Sequence, residues 1–193
     1  FNIDIEGPLT KDKTAVLRVF AKMFYNHCGF YGDDLKIAKL ERFIEKQGKT
    51  QQFREAFEKV NGAPWTETRD SFAFFEDDIV SVLQSTLGMS EQAARNWFNG
   101  EETNELSIAQ LVADIQEYVD GKGKDFRLLF MVDEVGQYIG DDGDLMINLQ
   151  SLVEEIGIRC HGKVWVMVTS QEAIDSVVHI TGNDFSKIQG RFN

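Results

Sequence analysis

Cysteine is scarce in this sequence, basic residues are outnumbered, and long apolar runs are missing. The two cysteines, Cys28 and Cys160, lie far apart. That fits a reducing compartment, and with no basic-then-apolar secretory signal the expected location is the cytoplasm. No apolar stretch approaches the roughly 20 residues that cross a bilayer, so a membrane-spanning helix is excluded. Lys and Arg number 20 against 32 Asp and Glu, a formal net charge of −12. Binding to nucleic acid depends on cations that neutralise phosphates, so direct DNA or RNA binding is not expected of this acidic chain. The chain opens on Phe1 rather than Met and stops at Gly190-Arg191-Phe192-Asn193 without a terminating motif, so both ends read as cuts within a longer protein.

What is present suffices for a core: 193 residues, 42% hydrophobic, suit one domain or one domain with a large insertion. Phe1-Asn2-Ile3-Asp4-Ile5 alternates apolar and polar residues as a half-buried strand does, and Gly7-Pro8 ends it. From Thr10 to Cys28 the period becomes helical, with Val16, Leu17, Phe20, Met23 and Phe24 on one face. Residues 33–120 read as helices throughout. One carries Leu35 to Ile44, a second Phe53, Phe57 and Val60, and a longer one Phe72, Phe75, Ile79, Val82 and Leu83. Ser90 is an expected N-cap, and Ser107 with Gln110 an expected capping box. The aromatics Phe72, Phe74, Phe75, Trp97 and Phe98 read as core of this helical part rather than as a base-stacking platform.

The pattern then changes. Leu128-Leu129-Phe130-Met131-Val132 and Val164-Trp165-Val166-Met167-Val168 are continuous apolar runs, expected as parallel strands covered on both faces. An amphipathic helix from Asp144 to Arg159 joins them, which makes a right-handed parallel crossover. The first run ends in Asp133-Glu134, the Walker B pattern. A carboxylate at the end of a buried strand is held where α/β proteins bind ligands. Asp133 is the candidate for holding Mg²⁺ through water, and Glu134 for deprotonating the water that attacks the γ-phosphate. The second run ends in Thr169-Ser170, candidates for sensing that phosphate, although the same residues could simply cap a helix starting near Glu172.

The phosphate-binding loop is absent. G-x-x-x-x-G-K-[ST] would need a glycine where Phe43 stands before Gly48-Lys49-Thr50, and Gly121-Lys122-Gly123-Lys124 is followed by Asp125 and a strand. Gly48 is expected to end a helix instead. The adjacent pairs His27-Cys28 and Cys160-His161 lack zinc-ligand spacing. The run Asp141-Asp142-Gly143-Asp144 lacks the later glutamate of a calcium loop, and Asp144 is expected to cap the helix after it. Arg191 is a candidate arginine finger, a solvated arginine near a chain end being the plainer reading. A two-metal phosphodiesterase built on Asp133, Glu134 and the acids of 141–144 would need further carboxylates or histidines.

Several stretches resemble the large P-loop ATPases of the BREX phage-exclusion systems, the BrxC/PglY family. They include Cys28 to Asp34, Gly88 to Trp97, Val132 to Gly140 with its Val-Gly-Gln-Tyr-Ile-Gly continuation, Trp165 to Gln171, and Asp184 to Phe192. The resemblance implies an internal piece of a much longer protein of antiviral defence, with ATP and Mg²⁺ as cofactors of the intact chain and other BREX components, a methyltransferase among them, as partners. It implies a partial AAA-like parallel sheet of about three strands with a large all-helical insertion: core at 1–32, insertion at 33–120, core again at 121–193. In the sheet order 5-1-4-3-2, residues 1–6, 127–132 and 163–168 would be strands 2, 3 and 4. Strand 4 would then be an open edge, and self-association through residues 163–169 is expected. Without its P-loop the piece is not expected to hydrolyse ATP alone. The alternative is a helical protein-interaction module with a vestigial nucleotide site.

Overall fold

The computed structural model describes residues 1–8, 11–99 and 106–170. The elements are α1 (Ile3–Glu6), α2 (Ala15–His27), α3 (Leu35–Lys46), α4 (Thr50–Asn61), α5 (Trp65–Thr68), a 3₁₀ segment (Arg69–Phe74), α6 (Glu76–Leu87), α7 (Glu91–Asn99), α8 (Ile108–Asp120), β1 (Leu128–Val132), α9 (Val135–Ile139), α10 (Gly143–Arg159) and β2 (Val164–Val168). The described residues are mostly helical with a small two-stranded parallel sheet, a mixed α/β architecture. It forms two compact units, Phe1–Phe20 with Leu106–Asn193, and Ala21–Glu105. Helix α8, expected with the helical insertion, belongs to the first unit, where it packs on α10.

In the first unit β1 and β2 pair in parallel from Leu128↔Val164 to Val132↔Val168, and α10 is the crossover between them. Leu128, Phe130, Val132 and Val164 face the core with Leu145, Leu149, Leu152 and Ile156 of α10. Phe20, at the end of this unit's part of α2, meets Phe130 with ring centroids 5.3 Å apart.

Two strand expectations are corrected. Residues 1–5 are not a strand: only Asn2 bridges, in parallel, to Asp133. The Asn2 side chain accepts from the Asp4 and Ile5 amides and caps α1, and Asp4 and Glu6 favour the positive end of that turn. Ile3 is therefore buried while Ile5, which strict alternation would place on the same face, is 78% exposed. The strands are also not covered on both faces. Leu129 and Met131 on β1, and their partners Trp165 and Met167 on β2, are 48–60% exposed.

In the second unit Ile37, Leu40, Ile44, Phe53, Phe57, Trp65, Ile79 and Leu83 form the core, with Phe43, Phe72, Phe75 and Trp97 packed against it. Inside it Glu41 is buried and accepts hydrogen bonds from Trp65 Nε1 (2.7 Å), Arg69 Nη1 (2.9 Å) and the Tyr31 amide (2.5 Å). Three donors, one of them cationic, offset the cost of burying a carboxylate. The single helix expected across Phe72 and Leu83 is two elements, because the backbone leaves helical geometry at Phe75 (φ −122°, ψ 22°), between the 3₁₀ segment and α6. Val60 is exposed, as is Phe74 at 86%. Gly48, at φ +65°, follows α3 in the left-handed conformation that ends helices, so Gly48-Lys49-Thr50 is a turn.

The caps at Ser90 and Ser107 form as expected, each hydroxyl accepting from the amide three residues on. Gln110 does not reach back to complete the box and donates to Asp114 instead. Asp142, not Asp144, is the N-cap of α10; its carboxylate accepts from the Asp144 and Leu145 amides. The helix starts one residue earlier than expected, at Gly143, which moves Asp144 into the first turn.

Candidate functional site

The site lies where β1 and β2 end together. Asp133 follows the last residue of β1, and Thr169 follows the last residue of β2, directly beside it in the parallel register. The ladder runs one step beyond the strands, the Thr169 amide donating to the Val132 carbonyl (2.9 Å). The Thr169 carbonyl in turn accepts from the Val135 amide (3.1 Å), and its hydroxyl donates to Asp133 Oδ1. Thr169 thus holds the Asp133-Glu134 turn by backbone on both sides and by side chain in the middle.

The opposite side of Asp133 is held by the first residues of the chain. Its amide donates to the Phe1 carbonyl (2.8 Å), its carbonyl accepts from the Ile3 amide (3.2 Å), and the Phe1 nitrogen donates to the Met131 carbonyl (2.7 Å). The Asp133 backbone is pinned between two segments while the residue itself stays exposed. Its Oδ1 also accepts from the Glu134 amide at 3.1 Å. Oδ1 therefore accepts two hydrogen bonds, from the Thr169 hydroxyl and the Glu134 amide.

Glu134 has φ +63° and ψ +30°, the left-handed region that non-glycine residues rarely occupy. It precedes α9 and is half-buried, with its Oε2 out of solvent. Such strain is concentrated at functional sites, where surroundings fix a conformation the residue would not choose. Here the surroundings are the Thr169–Val135 bond on one side and the Tyr138 amide, which donates to the Glu134 carbonyl (3.0 Å), on the other.

Behind the turn, α9 is seated by residues that sequence reasoning missed. Lys11 donates to the Tyr138 carbonyl (2.8 Å) and places its ammonium 4.2 Å from the centre of the Tyr138 ring. Gly7 lies so close to that ring that a Cβ there would stand 2.6 Å from Cε2. The Tyr138 hydroxyl is buried with no hydrogen-bond partner among the described residues, and burial, helped by Asp4 and Asp12, pushes its pKa up. No local pattern marks Lys11, because its contact spans 127 positions.

The structure brings together Asp133, Glu134 and Thr169, with Ser170 next in the chain, its Oγ buried and without a hydrogen-bond partner among the described residues. Arg191 and Glu172 lie outside the described residues. Among the described residues no three or more His, Cys, Asp or Glu side chains converge as metal ligands. Cys160 is buried, and desolvation raises its thiol pKa to about 11, so it is not a ready ligand at neutral pH.

No family model matches the chain, and no solved structure matches it. The site stands on its own geometry. Among the described residues, no helix is long and apolar enough to cross a membrane.

Proposed function

We propose that this chain is part of a P-loop ATPase of the BREX phage-exclusion type, carrying the Walker B and sensor half of the ATP site. The observation that carries the reading is the pairing of Asp133-Glu134 with Thr169 across the ends of two adjacent parallel strands. In this reading Asp133 would hold the nucleotide's Mg²⁺ through water, and the ion would supply neutralising charge to the phosphates. Glu134 takes the proton of the attacking water, and its fixed backbone keeps the carboxylate beside Asp133. Thr169 or Ser170 provides the polar end of the neighbouring strand.

The uncovered sheet supports the same reading. β2 has no neighbour on its outer side among the described residues, and Leu129, Met131, Trp165 and Met167 leave one face apolar and exposed. A parallel strand beside β2, followed by a helix over that face, would pair the edge and bury the patch by one right-handed connection. A strand–P-loop–helix unit from the rest of the protein has that form, and its loop would emerge at the strand ends where Asp133 and Thr169 lie. On its own the 193-residue chain is expected to pair with a second copy through the same edge. Light scattering should show mass rising with concentration, and Trp165→Lys should restore a monomer; a wild-type monomer at millimolar concentration contradicts this.

The decisive test uses the longest natural chain that contains these residues. Glu134→Gln should cut ATP turnover at least about 100-fold while nucleotide still binds; unchanged turnover removes Glu134 from the role. The 193-residue chain alone should show no tight ATP binding by calorimetry.

A second reading has one observation in its favour. The unit Ala21–Glu105 has its own core yet leaves Phe74 86% exposed on the 3₁₀ segment. In this second reading Phe74 is the contact point of the unit for other BREX components. Phe74→Ser should release such a partner without changing hydrolysis.

A further inference from the structure

We propose that Thr169 is a positioning residue that orients the Asp133 carboxylate, and that its hydroxyl does not read the γ-phosphate. The inference rests on the ATPase reading above and assigns a division of labour within it.

A threonine hydroxyl has a single proton to donate, and an ionised phosphate oxygen only accepts. In this site that proton is already given to Asp133 Oδ1. The bond is not a casual surface contact, because the threonine backbone is fixed twice over, by the Val132 carbonyl and by the Val135 amide. Those two bonds fix where the Thr169 Cα stands beside Asp133, within reach of its carboxylate. The acceptor is fixed as well. The Glu134 amide donates to the same Oδ1 at 3.1 Å, and residues 1–3 pin the Asp133 backbone from the other side.

The consequence is directional. Two donors on Oδ1 lock the carboxylate plane and leave Oδ2 toward solvent, where a cation-bound water would be met. A hydrogen bond behind a metal-binding carboxylate commonly sets metal affinity, and losing it costs about 10–100-fold. Phosphate reading then needs another donor. Ser170 carries one on the next residue, its Oγ buried and unpartnered among the described residues.

The test is run on the longest natural chain that contains these residues, comparing wild type, Thr169→Val, Thr169→Ser and Ser170→Ala. Two quantities are read: the Mn²⁺ concentration needed for half-maximal turnover, and the affinities for ATP and ADP measured without metal. Valine keeps the branched shape and removes only the donor. Thr169→Val should raise the half-maximal Mn²⁺ about tenfold and leave metal-free ATP affinity unchanged. Thr169→Ser should return the metal requirement to within about twofold of wild type, a rescue that a merely structural role would not give. Ser170→Ala should narrow the preference for ATP over ADP. If Thr169→Val does not fold, Thr169→Ala carries the same expectation. An unchanged metal requirement in a folded Thr169→Val that no longer prefers ATP to ADP overturns the inference and leaves the ATPase reading standing. A wild-type protein that neither binds nor hydrolyses ATP overturns both.

Discussion

Glu134 holds a left-handed backbone (φ +63°) that costs a side-chain-bearing residue about 1 kcal/mol or more. Glycine adopts that region without penalty, so a glutamate kept there has a use for its side chain. Comparing Glu134→Gly with Glu134→Ala isolates the backbone, since both lack the carboxylate. The glycine variant should be the more stable by about 1 kcal/mol, which for a chain of this size is a Tm about 2–4 °C higher. Equal melting temperatures would show that the turn is relaxed. Gly7 presents the opposite situation. Its backbone (φ −72°, ψ 156°) suits any residue, but an added Cβ would lie 2.6 Å from Tyr138 Cε2 and 2.7 Å from the Ile3 carbonyl. Gly7→Ala should therefore destabilise by about 1–3 kcal/mol through overpacking alone, read by chemical denaturation. The cysteines divide by burial. Iodoacetamide at pH 8 should label half-buried Cys28 and spare Cys160, whose thiol is buried with a pKa near 11, until denaturant opens the core. Burial raises that thiol's pKa, so its protonated form supports the fold below the ordinary thiol pKa. That support should fade only as the pH climbs from about 9 toward 11, seen as a falling Tm.

At the scale of elements, the caps separate what a sequence can announce from what it cannot. Four consecutive residues, Asp141-Asp142-Gly143-Asp144, announce a helix start, yet only the backbone decides which carboxylate caps it. Asp142 has the extended conformation and accepts from two amides, so Asp142→Ala should cost about 1 kcal/mol. Asp144→Ala should cost only a few tenths, the worth of a charge near a helix start. The reverse order of effects, measured by urea unfolding, would return the cap to Asp144. The strands teach the same point. Leu128–Val132 and Val164–Val168 were legible because continuous apolar runs bounded by Arg127, Lys163, Asp133 and Thr169 have few other uses. Their single covered face was not legible, since composition reports that a residue is fit for burial and not that a neighbour arrives to bury it. Phe1–Ile5 misled because its alternation is equally compatible with one helical turn, and the Asn2 cap decided for the helix. At the site, Asp133, Glu134 and Thr169 were found as ends of strands. The braces at Phe1, Gly7 and Lys11 come from more than 100 positions away and leave no local trace.

For the molecule as a whole, the question is how much of the chain folds on its own account. The second unit, Ala21–Glu105, owns a core in which Trp65 meets Phe53 and Phe57 edge to face at 5.3 and 5.0 Å, around a carboxylate satisfied from within the unit. That core is assembled from residues of the unit itself, so residues 21–105 expressed alone should be helical and melt cooperatively. The first unit is in a different position. Its two strands carry four half-exposed apolar side chains on one face, Leu129, Met131, Trp165 and Met167, and a sheet of so few strands needs further cover to be stable. Residues 1–20 and 106–193 should therefore be the weaker partner, binding a hydrophobic dye and losing tertiary signal at lower denaturant than residues 21–105. Hydrogen exchange can decide this within the intact chain. The amides of β1 and β2 should exchange by a lower-energy opening than those of α4 and α6. Lengthening the natural chain upstream to include a strand–loop–helix unit should slow β2 exchange and leave α4 and α6 unchanged. Equal protection in both units, insensitive to the added segment, would mean that the exposed face is complete as it stands.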